Sequence, residues 1–501
     1  MYSLHKLPFS NSFASLGESF FSKVQPTPFK LPAHLVHFNA DAAALLGLDP
    51  ACVAEPELVA CLSGQSLPAG AEPLAMLYAG HQFGHYVPQL GDGRALMLGE
   101  ITNPAGDKWE LQLKGSGLTP YSRQGDGRAV LRSTIREYLC SEAMHGLGIP
   151  TTRALAMMGS DEEVYREKIE PGAMLMRLAP SHVRFGSFEV FFYRNQFEHI
   201  KTLADYVLAH HYPALAEEPN PYQALLKEVI KRTAQLIAQW QAVGFAHGVM
   251  NSDNMSILGL TLDYGPFGFV EAYQPGYICN HSDHEGRYAF DQQPEIGLFN
   301  LSCLAQALLP LLDDVPDQGA EWARQALGEY QRQYVAHYAE LMRAKLGLQE
   351  VMVEDQALLQ GLLDLMQANR VDYTILFRRL AGIKTDGGLR FAKPPYDSMR
   401  DLFLDREGFD AWLGQYTARL QKENSDDAER QVRMNQVNPK YILRNYLAEV
   451  AIRKAEDERD YSEIETLFTL LQKPFDEHPE YEEYAEHPPE WAGDIAVSCS
   501  S

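Results

Sequence analysis

"HGVMNSDNMSILGLTLDYG", residues 247–265, concentrates more chemistry than any other stretch of the chain. Just before it, "YQALLKEVIKRTAQLIAQWQAVG" (222–244) sets Leu225, Leu226, Val229, Ile230, Ile237 and Trp240 near helical spacing, and Gly244 stops the helix. After Asn254, "SILGLTLDYG" predicts two short strands around Gly259, with Asp263 at the end of the second. An amide oxygen at Asn254 and a carboxylate at Asp263 are the oxygen donors a hard cation such as Mg²⁺ or Mn²⁺ takes. A turn Asp and a helix-capping Asn are the plainer reading of the same two residues.

Spacing sharpens the choice. His247, Asn254 and Asp263-Tyr264-Gly265 fall on the protein-kinase pattern H-R-D-x-x-x-x-N followed by D-F-G. Val249 stands where that pattern has its catalytic Asp, and Asp253 is the nearest carboxylate on the same loop. A base at Asp253 addresses a differently placed nucleophile, and so a different phosphorus.

Toward the N-terminus, "RALMLGEI" and "KWELQLKG" predict strands joined by the turn "TNPAGD". Lys114 ends the second strand. A helix is expected over roughly 126–146, with Asp126 as N-cap and Glu137 inside it near the edge of the apolar stripe. A strand lysine paired with a helix glutamate is how kinases hold phosphates; two unrelated surface charges are the alternative. "GDGRALMLGE" and "GSGLTPYSRQGDGRA" offer backbone N–H groups to phosphates at Gly91, Gly93, Asp126 and Gly127, with Arg94 alongside. Arg177 lies in the strand pattern "GAMLMRLAP" and Arg184 just beyond it. A buried guanidinium needs an anion, either a phosphate or a structural carboxylate.

These elements divide the chain into a loop-rich extension (1–75), a strand-rich nucleotide-binding N-lobe (76–200), a helical C-lobe with the catalytic and metal loops (201–454) and an acidic C-terminal segment (455–501). The expected class is α+β: a protein-kinase-like two-lobe fold with a strand-rich N-lobe and a larger helical C-lobe. The stretch 455–490, rich in Asp and Glu, reads as solvated.

Composition agrees with a globular enzyme. Apolar residues make up 46% and charged residues 22% of 501, with a formal charge of −24. Such acidity argues against nucleic acid or an anionic membrane surface as partner. No early apolar run resembles a signal peptide, and the six scattered cysteines fit a reduced, cytoplasmic compartment.

The motifs "YAGHQFGHYVPQLGDGRA", "LQLKGSGLTPYSRQGDGRAVLRSTIREYLCSEAM", "HGVMNSDNMSILGLTLDYGPFGF" and the terminal "PPEWA…SCSS" together resemble the selenoprotein O family over essentially the whole length. The resemblance implies a kinase-like fold with flipped ATP, and transfer of AMP to Ser, Thr or Tyr hydroxyls of proteins. UMP transfer from UTP with Mn²⁺ is the bacterial variant, and redox proteins and oxidative stress are the implied setting. Carried over by motif, Gly91, Gly93, Arg94, Lys114, Asp126, Gly127, Arg177, Arg184 and Asp263 contact the nucleotide. Asp253 accepts the proton, Asn254 and Asp263 hold the metal, and Glu137 partners the lysine. The ending "CSS" keeps Cys499 but has Ser501 where some relatives carry selenocysteine; Cys499 and Cys279 form a candidate redox pair. Two other readings compete: a γ-phosphate kinase with a relocated base, and a non-catalytic nucleotide-binding pseudokinase scaffold.

Overall fold

The computed structural model describes residues 1–385 and 399–498. Its strands in chain order are β1 (Phe9–Ser10), β2 (Phe21–Lys23), β3 (Ala33–Phe38), β4 (Leu74–Met76), β5 (Gly80–Gln82), β6 (His85–Val87), β7 (Ala95–Thr102), β8 (Lys108–Lys114), β9 (Ala129–Val130), β10 (Arg153–Tyr165), β11 (Ile169–Ala179), β12 (Phe245–Ala246) and β13 (Gly268–Phe269). Nine of them form one sheet in the order β2-β4-β7-β8-β11-β10-β3, with β1 on β7 and β9 on β11. β5 and β6 make a separate hairpin. The rest of the chain is helix-rich, so the protein is mixed α/β with a sheet-rich part and many helices.

β7 and β8 pair antiparallel around the expected turn, where the Asn103 carboxamide accepts from the N–H groups of Ala105 (3.0 Å) and Asp107 (2.9 Å). Residues 1–75, read as loop-rich, contribute β1, β2 and β3, and β2 and β3 are the two ends of the sheet order. Short strands broken by prolines, as in "VQPTPFKLPAHLVHF", give too few alternations for the period of two to show.

Three expectations need correction. The helix after β9 runs Leu131–Gly146 with Val130 at its N-cap, not Asp126. Pairing of Ala129 and Val130 with β11 takes those residues, and the Asp126 carboxylate accepts instead from Arg166 (2.7 Å) and the Arg128 N–H (2.9 Å). Residues 255–263 do not form two strands. They make isolated bridges (Met255 with Thr261, Arg184 with Ser256, Thr151 with Thr261), and the ladder that does form, β12 with β13, brackets the whole loop. The acidic segment is not a solvated tail either. The helix Ser462–Gln472 buries Ile464, Leu467, Phe468 and Leu471 and packs on the helix Leu131–Gly146. A Cβ on Gly146 would sit 2.0 Å from the Leu471 carbonyl oxygen, so the two backbones meet directly.

The helix Pro221–Val243 ends at Gly244 (φ 76°), as its left-handed C-cap requires. It packs on the helices Gln293–Leu312 and Pro316–Lys345. The stretch Phe290–Leu312 is apolar and long enough to cross a membrane by length and composition, but more than half of it is buried among these neighbours as a core helix.

Candidate active site

Along β8 the period of two sends Glu110, Gln112 and Lys114 to one face, and the register sets Gln112 opposite Arg177 of β11. Lys114 Nζ donates to Glu137 Oε2 at 2.5 Å, and Arg177 Nη1 donates to Glu137 Oε1 at 2.9 Å. Both oxygens of a buried carboxylate are thereby satisfied. Glu137 can face inward from the helix because two cations meet it.

Asp263 enters from the other side, in the left-handed backbone region (φ 55°). His247 holds the turn that presents it: its Nδ1 accepts from the Val249 N–H (3.3 Å), so Nε2 is the protonated nitrogen and donates to the Leu262 carbonyl (2.9 Å). Burial keeps that imidazole below its ordinary pKa and therefore neutral. The Asp263 carboxylate meets Arg177, Arg184 Nη1 (2.7 Å) and, at 3.7 Å, Lys114. Burial opposes its ionisation, but Arg177, Arg184 and Lys114 outweigh it and hold the group well below the usual carboxylate range.

Asp253 lies on the same loop, in the short 3₁₀ turn Ser252–Asn254. It is buried; Oδ2 accepts from Gln82 Nε2 at 3.3 Å and Oδ1 has no partner among the described residues. Burial raises its pKa to about 7, partly countered by Arg184. The Asn254 Nδ2 donates to the Val249 carbonyl (2.9 Å), and its amide oxygen has no hydrogen bond among the described residues.

Gln82, Lys114, Glu137, Arg177, Asp253, Asn254 and Asp263 line one cleft of about 680 Å³, together with Gly91, Gly93, Arg94, Asp126, Gly127 and Val249. Arg184 lies behind it, stacked 4.6 Å over the Tyr78 ring. Gly91 has φ 100°, and a Cβ there would come within 2.6 Å of the Tyr121 ring. At Gly127 (φ 74°) a Cβ would meet Gly117 backbone at 2.2 Å. Both loops thus bring bare backbone to the cleft wall.

Several participants escaped the sequence reading. Asp92, inside "GDG", is buried and accepts from the Met76 N–H (3.0 Å) and Gln112 Nε2 (3.3 Å); Gln112 in turn accepts from Arg177 Nε at 3.0 Å. Gln112 was legible, being two residues from Lys114 on the same face of a buried strand. The β5–β6 hairpin carried no spacing signal, yet Gln82 and Gly80 both abut Asp253.

Cys279 is buried, with Sγ 3.5 Å from the Ala246 carbonyl, and the His281 N–H donates to the Val497 carbonyl at 2.8 Å. Cys499 lies outside the described residues.

The profile of the family described as "Protein adenylyltransferase SelO" matches residues 3–472. Among curated proteins, the chain is 59% identical to the "Protein nucleotidyltransferase YdiU" of Thioalkalivibrio sulfidiphilus, covering 100% of both chains. It is 57% identical to the protein of the same description from Thiobacillus denitrificans and 56% to that of Myxococcus xanthus, again over 100% of each.

Proposed function

Because the chain belongs to the SelO family of protein adenylyltransferases, we propose that it moves AMP from ATP to Ser, Thr or Tyr hydroxyls of other proteins, releasing pyrophosphate. In this reading the sheet with the Glu137 helix is one lobe and the later helices the other, a kinase-like arrangement with the cleft between them. UTP is the second donor to test, as a source of UMP.

Asn254 and Asp263 would hold Mg²⁺ or Mn²⁺. The Asn254 amide oxygen and a carboxylate kept ionised fit a hard cation, with Asp263 shared between the ion and its arginines. Bound there, the ion supplies positive charge against the triphosphate. Lys114, Arg177 and Arg94 supply the rest, and the loops at Gly91–Gly93 and Asp126–Gly127 supply N–H groups. Asp253 takes the proton of the acceptor hydroxyl as its oxygen attacks the α-phosphorus. The bond to the bridging oxygen then breaks, and pyrophosphate leaves.

The contrast between Asp253 and Val249 carries this reading: the cleft has a buried carboxylate with an unpartnered oxygen at 253 and only an alkyl group at 249. Parallel incubations with α-labelled and γ-labelled ATP test it. Label on protein from the α-position alone is expected. Label from the γ-position alone would establish a kinase instead.

A further inference from the structure

Beside the Asp253 loop, three donors of different chemistry converge from three elements: His81 of β5, Glu189 of the helix Phe185–Tyr193, and Cys303 of the helix Gln293–Leu312. Their ligand atoms all lie within 4.8 Å of one another, and His81 Nδ1 is 2.5 Å from Glu189 Oε2. Glu189 has no solvent exposure, and its second oxygen, Oε1, has no partner among the described residues. The Tyr86 hydroxyl, on the same hairpin as His81, is also buried without a hydrogen-bond partner among the described residues. A buried carboxylate oxygen left unmatched is destabilising unless something fills the gap.

We propose that His81, Glu189 and Cys303 form a second divalent-metal site, with the nitrogen, oxygen and sulfur donors that Zn²⁺ takes, separate from the Asn254–Asp263 pair. Hard Mg²⁺ would ignore a thiol and an imidazole, whereas Zn²⁺ binds both and accepts a carboxylate as third ligand, leaving one position for water. Burial, then Glu189, pushes the Cys303 thiol up to about 12, so it is protonated without an ion. On binding, the sulfur–zinc bond forms and the thiol proton leaves to solvent. The positive charge that acts on Cys303 is Arg287, whose guanidinium lies 4.8 Å over the Phe299 ring. The Glu189 carboxylate and the Cys303 thiolate together balance the dication.

The site would act on the cleft through β5. The His81 N–H donates to Ser252 Oγ at 2.7 Å, and the next residue, Gln82, holds Asp253. An ion at His81 would pin the hairpin to two helices and fix the wall against which Asp253 rests.

Co²⁺ titration of the chelator-stripped full chain tests this, because cobalt bound to a thiolate gives a charge-transfer band in the near ultraviolet. A saturable band is expected, lost in Cys303→Ser, weakened in Glu189→Gln, and unchanged in Asp263→Asn, which removes only the nucleotide-site carboxylate. Circular dichroism of each variant shows that it is folded, and Glu189→Gln serves if Cys303→Ser is not. No band in the parent, or a band that survives in folded Cys303→Ser or is undiminished in folded Glu189→Gln, would overturn the site.

Discussion

One nitrogen of Arg184, Nη1, donates both to the main-chain oxygen of Asp253 (2.8 Å) and to the carboxylate of Asp263 (2.7 Å). The loop bearing the proposed base and the turn bearing the proposed metal ligand therefore share a single donor. A lysine would keep the charge but not the planar guanidinium, whose stacking on Tyr78 holds that nitrogen between the two acceptors. Arg184→Lys should lower the rate of α-label transfer about 10²-fold. An unchanged initial rate would show that the two loops are set independently.

Asp253 gives a pH-dependent stability prediction. Its folded pKa of about 7 lies above the ordinary 3.8, so between those values the folded chain holds more protons than the unfolded one. Stability contributed by this group therefore falls as pH rises across that window. Asp253→Asn has no such loss. In chelator, the Tm of the variant relative to the parent should be higher at pH 8 than at pH 4.5, while transfer activity falls roughly 10²–10⁴-fold. A Tm difference that is the same at both pH values would mean the carboxyl is not desolvated as the structure has it.

Lys114 and Arg177 divide the oxygens of Glu137 between them, so the two cations do not depend on it equally for orientation. Arg177 also has Gln112 and Asp263, whereas Lys114 has Glu137 as its close partner and Asp263 only at 3.7 Å. Glu137→Gln should thus free Lys114 first. Both Lys114→Ala and Glu137→Gln should cut transfer by about 10²-fold or more, with Lys114→Ala the more severe. Rates from α-labelled ATP at saturating nucleotide would show this order, and its reversal would place the phosphates on Arg177 instead.

What was legible in the sequence was what local periodicity and spacing encode. The long helix ending at Gly244, the β7–β8 turn, the strand that ends at Lys114 and the helix that carries Glu137 all follow from patterns within a few residues. Contacts made across the chain left no such trace. Asp92 reaches Gln112 from the loop before β7, and Gln82 reaches Asp253 from a hairpin far away in sequence. The strands expected around Gly259 failed for the same reason: Ser256 and Thr261 bridge to Arg184 and Thr151, partners that local alternation cannot see. Charge density misled at 455–490, because a helix can carry acids on its outer face and still bury Leu467 and Leu471.

That last helix sets a final prediction. Glu137 is placed by the helix Leu131–Gly146, whose rear face rests on Ser462–Gln472, with Tyr138 joined to His37 (2.7 Å) and His37 to Glu465 (2.8 Å). At its end, Gly146 leaves no room for a Cβ against the Leu471 carbonyl. Gly146→Ala must push the two helices apart there, at a cost of about 1–3 kcal/mol. If the C-terminal helix positions Glu137, the variant should lose transfer rate beyond what its lower stability explains, measured well below its Tm. The Co²⁺ band, which depends on other helices, should persist. Normal transfer in a destabilised Gly146→Ala would show that the helix supports the fold but does not set the Lys114–Glu137 pair.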